Sequence, residues 1–251
     1  MPPTSDAIAE CRFTIANFAR DGHRIYDSSE VEMRLNGKTA IVTGAGSGFG
    51  AGIAQKFAQE GAQVMVSDIN MDAAQTVANS IGGWAQHVDV ASNASVQQMI
   101  AAAETHWGHI DILINNAGIT HLPTPMEDVS EDEFDRVFAV NAKSVYLTAR
   151  HIVPLLKRQN SGVILNIAST AGISPRPNLN WYNASKGWMI TATKAMAVEL
   201  APFNIRVNAL NPVAGETPLL ASFMGEDTPE MRAKFLATIP LNRFSTPQDM
   251  G

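Results

Sequence analysis

The sequence predicts a three-layer α/β domain built on a doubly wound parallel sheet. Three features carry this expectation. From Lys38 onward, short β-branched or apolar runs alternate with longer helical patterns, the arrangement of successive βαβ units. Those runs are nearly continuous in apolar residues rather than alternating, which implies burial on both faces. The first of them opens straight into a glycine-rich turn, TGAGSGFG, of the kind that joins a strand to a helix at a phosphate site.

The elements follow in order. TAIVT (39–43) is the first candidate strand, and a helical pattern covers 50–60 after its glycine turn. QVMVS (63–67) precedes a helix at 71–80, and WAQH (84–87) precedes one at 93–107. ILIN (112–115) leads to the longest helical pattern, 131–158, whose start is marked by Ser130 with Glu133 three residues on, the spacing of a capping box. VILNI (163–167) precedes a helix at 182–201, and RVNAL (206–210) is the sixth strand.

A chain of 251 residues favours one large domain over two. Residues 1–33 stand apart as an N-terminal extension, expected to be disordered or loosely attached. Up to position 32 the extension carries three arginines against six acids, which speaks against a signal or transit peptide. Ordered structure is expected from RLNGKTAIVTG, so residues 34–251 are expected to form a single domain.

Composition excludes several classes. A net charge of −6 argues against sequence-independent nucleic-acid binding. The single cysteine, Cys11, rules out an internal disulfide and a multi-thiolate zinc site. No apolar stretch reaches the roughly 18 residues of a membrane helix, and a cytoplasmic protein is expected. His106 and His109 are the closest histidine pair, read as a solvated helix end rather than a metal site.

In open parallel sheets, ligands lie beyond the carboxyl ends of the strands. After the first strand, Gly44, Gly48 and Gly50 let the backbone approach a pyrophosphate, and the helix amino terminus offers unpaired N–H groups. Tight strand-on-helix packing would also select glycine there. Asp68 ends the second strand, 18 residues beyond Gly50. Its carboxylate would accept hydrogen bonds from ribose hydroxyls and repel a 2′-phosphate. No basic residue stands at Ser47 or just after Asp68, so NAD(H) is favoured over NADP(H). The bland alternative is an aspartate that caps the next turn.

With these residues in place, the sequence resembles the short-chain dehydrogenase/reductase family over roughly residues 34–251. The family's TGxxxGxG appears as Thr43, Gly44, Gly48 and Gly50, its NNAG as Asn115 to Gly118, and its YxxxK as Tyr182 and Lys186 in YNASK. Ser169 after the fifth strand and Asn141 in VNAKS complete the set. The resemblance implies a Rossmann-type fold and hydride transfer between a nicotinamide and an alcohol or carbonyl carbon, with Asn141, Ser169, Tyr182 and Lys186 catalytic. It also implies a cofactor site that adds Ser47, Phe49, Ile69, Asp89, Val90, Asn116, Ala117, Gly118, Pro212 and Thr217 to the residues above, together with Tyr182 and Lys186. A homodimer or homotetramer through the long helices is expected, with a small alcohol or carbonyl compound as the substrate.

The chemistry suits these side chains. Oxidising an alcohol needs a base at its oxygen, and the reverse reduction needs an acid. A free tyrosine has a pKa near 10. A lysine at i+4 lies on the same helical face, so Lys186 is expected to favour the Tyr182 phenolate. Ser169 would stabilise charge on the substrate oxygen. Asn141 would hold a water in a relay from Lys186 to solvent, on the resemblance alone. Tyr146, with Arg150 at i+4, is the internal control: such a pair can be merely structural.

Substrate contacts are expected from His121, Trp181 and Leu219, with Asn178 and Asn180 nearby. Segment 212–239 is the expected lid, in which Leu219, Leu220, Phe223 and Met224 either wall the substrate or dock the lid on the body. Two departures from the family stand out. Pro212 is followed by Val213, with glycine only at Gly215, and the sequence ends at PQDMG where the family usually continues through another strand. The expected function is an NAD(H)-dependent oxidoreductase, with a 3-oxoacyl-[acyl-carrier-protein] reductase as the alternative. A non-catalytic NAD(H)-sensing protein is the alternative from another class, disfavoured by the intact Asn141, Ser169, Tyr182 and Lys186.

Overall fold

The computed structural model describes residues 33–251; the expectation for residues 1–32 lies outside them. Six strands form one parallel sheet: β1 (Thr39–Thr43), β2 (Gln63–Asp68), β3 (Trp84–His87), β4 (Ile112–Asn115), β5 (Gly162–Ile167) and β6 (Ile205–Leu210). Their order is β3-β2-β1-β4-β5-β6, and every neighbouring pair is parallel. The order reverses between β1 and β4, and the crevice there opens at the strands' carboxyl ends.

Strand periodicity divides the core into two layers. Ile41 and Met65 point to one side, where they pack with Met99, Ile152, Leu156 and Ile164. Ala40, Val42, Val64 and Val66 point to the other, against Ile53, Ala54, Ala74 and Ala78. The central strands β1 and β4 are buried at every residue. At the edge, β6 alternates, with Arg206 and Asn208 exposed, because only one of its faces is covered.

The helices on the two faces are α1 (Gly48–Gln59), α2 (Met71–Ile81), α3 (Asn93–Trp107), α4 (Glu131–Phe138), α5 (Ser144–Gln159) and α6 (Asn180–Leu200). Asn70, Ser92 and Ser130 cap α2, α3 and α4 through side-chain oxygens that accept first-turn N–H groups. The expected capping box at Ser130 forms only in its serine half, with Ser130 Oγ accepting the Glu133 N–H at 3.2 Å. A complete box forms instead at Thr246 and Asp249, opening α9 (Pro247–Met250). Helix α1 differs from its neighbours. Ser47 gives it no side-chain cap and its first turn holds no acid.

The helix expected over 131–158 is interrupted. Ala139–Lys143 forms a π-helical turn between α4 and α5. Asn141, in the middle of that turn, is fully buried. Its Oδ1 accepts the Ile119 N–H and its Nδ2 donates to Ile119 O, both at 2.9 Å. Widened turns of this kind concentrate at functional positions.

The lid contains α7 (Leu220–Met224) and α8 (Pro229–Leu236). Leu220 and Met224 are buried with Ile239 and Phe244 in a small core of their own, so these two dock the lid. Helix α9 rests on α1 at Gly52, where a Cβ would collide with Pro247. Among the described residues, no helix is long and apolar enough to cross a membrane. His106 packs against Trp84 at 4.8 Å, while His109 faces Asp111 at 3.4 Å, so the two histidines have separate partners.

Candidate active site

A cavity of about 460 Å³ lies over the carboxyl ends of the strands. At one end it is lined by Gly44, Ser47, Gly48 and Phe49 from the β1–α1 turn, then by Asp68 and Ile69 after β2, and Asp89 and Val90 after β3. Asn116, Ala117 and Gly118 follow from β4, and Ser169, Tyr182, Lys186, Pro212, Thr217 and Leu219 occupy the other end. Most of the sequence-named residues thus converge, but Gly50, Asn141, His121 and Trp181 do not line the cavity, and neither do Thr43, Asn115, Asn178 and Asn180.

Five of these have other partners or roles. A Cβ on Gly50 would collide with the Gly44 carbonyl and Asn116 Nδ2, so this glycine serves packing. Asn141 Nδ2 also donates to Ser185 Oγ at 3.0 Å, and with Ile119 this occupies its side chain. Its Oδ1 nonetheless comes within 3.4 Å of a Cβ built on Gly118, behind the cavity wall, while Lys186 Nζ, at 3.3 Å from the same point, belongs to a residue on the cavity itself. Trp181 Nε1 donates to Met126 O at 3.2 Å and the ring packs edge-on against Phe134. His121 is buried, with Nδ1 2.7 Å from Leu122 O and Nε2 without a partner among the described residues. Asn115 Nδ2 donates to Asn166 Oδ1 at 2.8 Å, and Asn166 Nδ2 to Thr193 Oγ1 at 2.8 Å. Thr148 Oγ1 completes that buried chain by donating to Asn115 Oδ1 at 2.9 Å.

The dinucleotide end fits a phosphate-bearing cofactor. Ser47, Gly48 and Phe49 put the uncapped amino terminus of α1 on the cavity, where its free N–H groups and positive dipole end favour an anion. The turn is packed to its limit, since a Cβ on Gly44 would stand 2.8 Å from Ala117 Cα. Asp68 Oδ2 accepts the Gly46 N–H at 2.9 Å and Oδ1 accepts the Asn70 N–H at 2.9 Å. The aspartate therefore does cap its own turn, and still keeps a carboxylate face on the cavity. After β6, the Phe49 ring fills the place where a Cβ on Gly215 would be, so glycine is needed at that position.

At the other end, Ser169 Oγ accepts the Ala171 N–H at 3.1 Å, which fixes its rotamer beside Tyr182. The turn Thr170–Gly172 meets α6 backbone to backbone, because a Cβ on Gly172 would lie 2.8 Å from the Gly187 N. Small residues around YNASKG permit this approach. Lys186 Nζ donates to Ile167 O at 2.8 Å, and Ser185 Oγ donates to Tyr182 O at 2.7 Å.

The electrostatics correct one expectation. Burial pushes the Tyr182 phenol up to about 12, against the smaller downward pull of a hydrogen bond with Ser169. Lys186 was expected to lower it, yet its Nζ lies 6.0 Å from the ring centroid and burial pulls the lysine itself down to about 8. Loss of water is the largest influence on both groups. By contrast, Arg150 Nη1 donates to Tyr146 Oη at 2.9 Å on an exposed face of α5, a surface pair as its spacing allowed.

Sequence reasoning named Phe223 only as an either-or, and the geometry separates the pairs: Phe223 and Leu219 line the cavity, with Phe223 edge-on to Tyr182 at 4.9 Å. It missed Arg176, Leu179 and Phe235 at the same end. Their only signal was proximity to Tyr182 and to the lid.

Comparison with known proteins places the chain in a family. A family model described as Enoyl-(Acyl carrier protein) reductase matches residues 44–251. The chain is 48% identical over 225 residues to 4-formylbenzenesulfonate dehydrogenase of Comamonas testosteroni, covering 87% of this chain and 89% of that protein. It is 38% identical over 225 residues to 3-oxoacyl-[acyl-carrier-protein] reductase of Thermotoga maritima, with 87% and 89% covered. The crystal structure of 3-ketoacyl-(acyl-carrier-protein) reductase from Brucella melitensis complexed with NADH superposes with a TM-score of 0.81 at 48% identity, covering 86% of this chain and 88% of that one.

Proposed function

The chain belongs to the short-chain dehydrogenase/reductase family of oxidoreductases, and from that premise we propose that it is an NAD(H)-dependent enzyme acting on an alcohol or ketone. One observation carries this reading. Ser169, Tyr182 and Lys186 line the same cavity as the uncapped α1 terminus and Asp68.

Bound nicotinamide would supply or take the hydride, and the protein supplies position and protons. Tyr182, kept neutral by burial, donates its phenolic proton to the carbonyl oxygen during reduction. During oxidation the same oxygen accepts the alcohol's proton. Ser169 holds the substrate oxygen through its hydroxyl and stabilises charge that grows there. Lys186, anchored on Ile167 O, sets a positive charge behind the phenol, and this favours phenolate whenever the lysine is protonated. Asn141 holds Ile119 and Ser185 in place behind the two.

Asp68 supports NAD(H) over NADP(H), since its cavity-facing carboxylate would repel a 2′-phosphate and no basic residue stands at Ser47. The adenosine side is assigned to Ile69, Asp89 and Val90, the ribose side to Asn116, Ala117 and Gly118, and the nicotinamide side to Pro212 and Thr217. Tyr146 on α5 and Trp188 and Val198 on α6 are large exposed side chains that support a homo-oligomer, which light scattering of the purified protein would test.

A 3-oxoacyl-carrier-protein reductase is the second reading, favoured by the Brucella structure. That protein was crystallised with NADH, so the substrate rather than the cofactor separates the two. The test is a 340 nm assay of alcohols, polyols, aldehydes and 3-oxoacyl thioesters with each cofactor. Wild-type turnover by Tyr182→Phe overturns the mechanism. Binding of NADH without turnover of any substrate favours a non-catalytic sensor instead.

A further inference from the structure

The substrate end of the cavity holds an arginine with no acidic partner among the described residues. Arg176 lines it between Pro175 and Pro177, in the loop that leads into α6. Its carbonyl accepts Asn183 Nδ2 at 2.7 Å, and Asn183 directly follows Tyr182, so the arginine is anchored to the residue next to the proposed acid. Its guanidinium stacks 4.6 Å from the centre of the Phe235 ring, and Nη2 donates to Thr238 Oγ1 at 2.9 Å. A guanidinium has five N–H donors, and these contacts use one of them.

Other arginines differ. Arg34, Arg158, Arg232 and Arg243 each pair with a carboxylate. Arg136, Arg150 and Arg206 are exposed. Among the described residues, Arg176 alone is half-buried without an acid. Partial burial depresses its pKa, as expected for a charge that has lost water and gained no partner. The only acids on the cavity, Asp68 and Asp89, stand at the β2 and β3 end. The apolar residues on the cavity include Ala171, Leu179, Leu219, Phe223 and Phe235, and Arg176 stacks on the last of these.

We propose that the substrate is anionic: an apolar, aromatic-sized carbonyl or alcohol compound held by Leu179, Leu219, Phe223 and Phe235, whose carboxylate or sulfonate pairs with Arg176. This rests on the hydride-transfer reading above. The planar fork of Arg176 suits a bidentate oxyanion contact, and the apolar wall between it and Tyr182 leaves the reacting carbon at the other end of the molecule. Arg176 is then a specificity residue that a neutral alcohol would leave unused.

The experiment compares 4-formylbenzoate with its methyl ester, which has the same body and a similarly electron-poor carbonyl, using NADH with the full-length enzyme. The expected result is a kcat/KM for the carboxylate about 10-fold or more above the ester's, the size of one charge-assisted hydrogen bond. In Arg176→Gln the carboxylate loses at least about 10-fold more than the ester does, and Arg176→Lys recovers part of the preference. If Arg176→Gln lowers both aldehydes equally, Arg176 is only a latch on Phe235 and Thr238 and the proposal is overturned. Wild-type turnover of neutral substrates without preference for the carboxylate overturns the anion assignment alone. Absence of turnover with every substrate and either cofactor overturns the hydride-transfer reading, and this one with it.

Discussion

Lys186 Nζ donates a 2.8 Å hydrogen bond to the Ile167 carbonyl, tying the helix that carries Tyr182 to the strand end that leads into Ser169. The ammonium is thereby held behind the phenol rather than against it. Lys186→Met is expected to lower kcat by about 100-fold or more, the usual scale of acid–base assistance. It should also move the rise of alcohol oxidation to higher pH. Steady-state pH profiles of both proteins measure this, and superimposable profiles would remove Lys186 from the proton chemistry.

The same lysine makes stability depend on pH. Its folded-state pKa falls to about 8 from the ordinary 10.5, so between those values the unfolded chain binds more protons. Stability then rises with pH through that window. The burden of the buried charge is full below pH 8 and gone above about 10.5. The gain of the wild type relative to Lys186→Met between pH 7.5 and 9.5 should be about 1–2 kcal/mol, read by urea unfolding.

Tyr182 gives the two reaction directions different pH dependence. Burial holds its phenol up to about 12, so the acid form needed for reduction persists across the neutral range. The phenolate needed for oxidation grows with pH. Carbonyl reduction should therefore be flat from pH 6 to 8, while alcohol oxidation climbs over the same interval. An oxidation rate independent of pH would contradict the assigned base.

Asp68 should set the cofactor. Asp68→Ala removes the carboxylate from the cavity and from the Gly46 N–H, and is expected to raise the KM for NADH about 10-fold, the size of a hydrogen bond to a charged group. The penalty against NADPH should shrink at the same time. Initial rates with both cofactors test this, and a wild type that already prefers NADPH would refute it.

The buried chain through Asn115, Asn166, Thr193 and Thr148 should matter for stability more than for catalysis. Asn166→Leu strands the Asn115 amide, at a cost of about 1–3 kcal/mol. A lowered urea midpoint with KM values unchanged for the residual folded enzyme is the expected outcome.

The central strands β1 and β4 were legible because burial on both faces leaves an apolar run with abrupt ends, and all six strands lie within one residue of the runs that the sequence marks. The cavity was legible because its residues follow those ends. What escaped was set by partners far away in sequence. AVNAK reads as ordinary helix, and its widened turn reflects Asn141 reaching Ile119, 22 residues back. Tyr182 and Lys186 carry a spacing that predicts attraction, whereas burial is the largest influence on both pKa values. Arg176 carries no local sequence signal, because its lack of an acidic partner among the described residues depends on its tertiary neighbours. His121 was near the site in sequence but turned its Nδ1 to Leu122 O.

The π-helical turn at Ala139–Lys143 has a geometric consequence for how this region can vary. One surplus residue in a helix is a phase shift of roughly 100°, so α4 and α5 present faces that a regular helix would not. Phe134, on the early half, meets Trp181; Thr148, on the later half, meets Asn115. Deleting a single residue here would regularise the helix and still force one half to rotate away from its partner. A change that improves local helix geometry would thus put two distant contacts out of step.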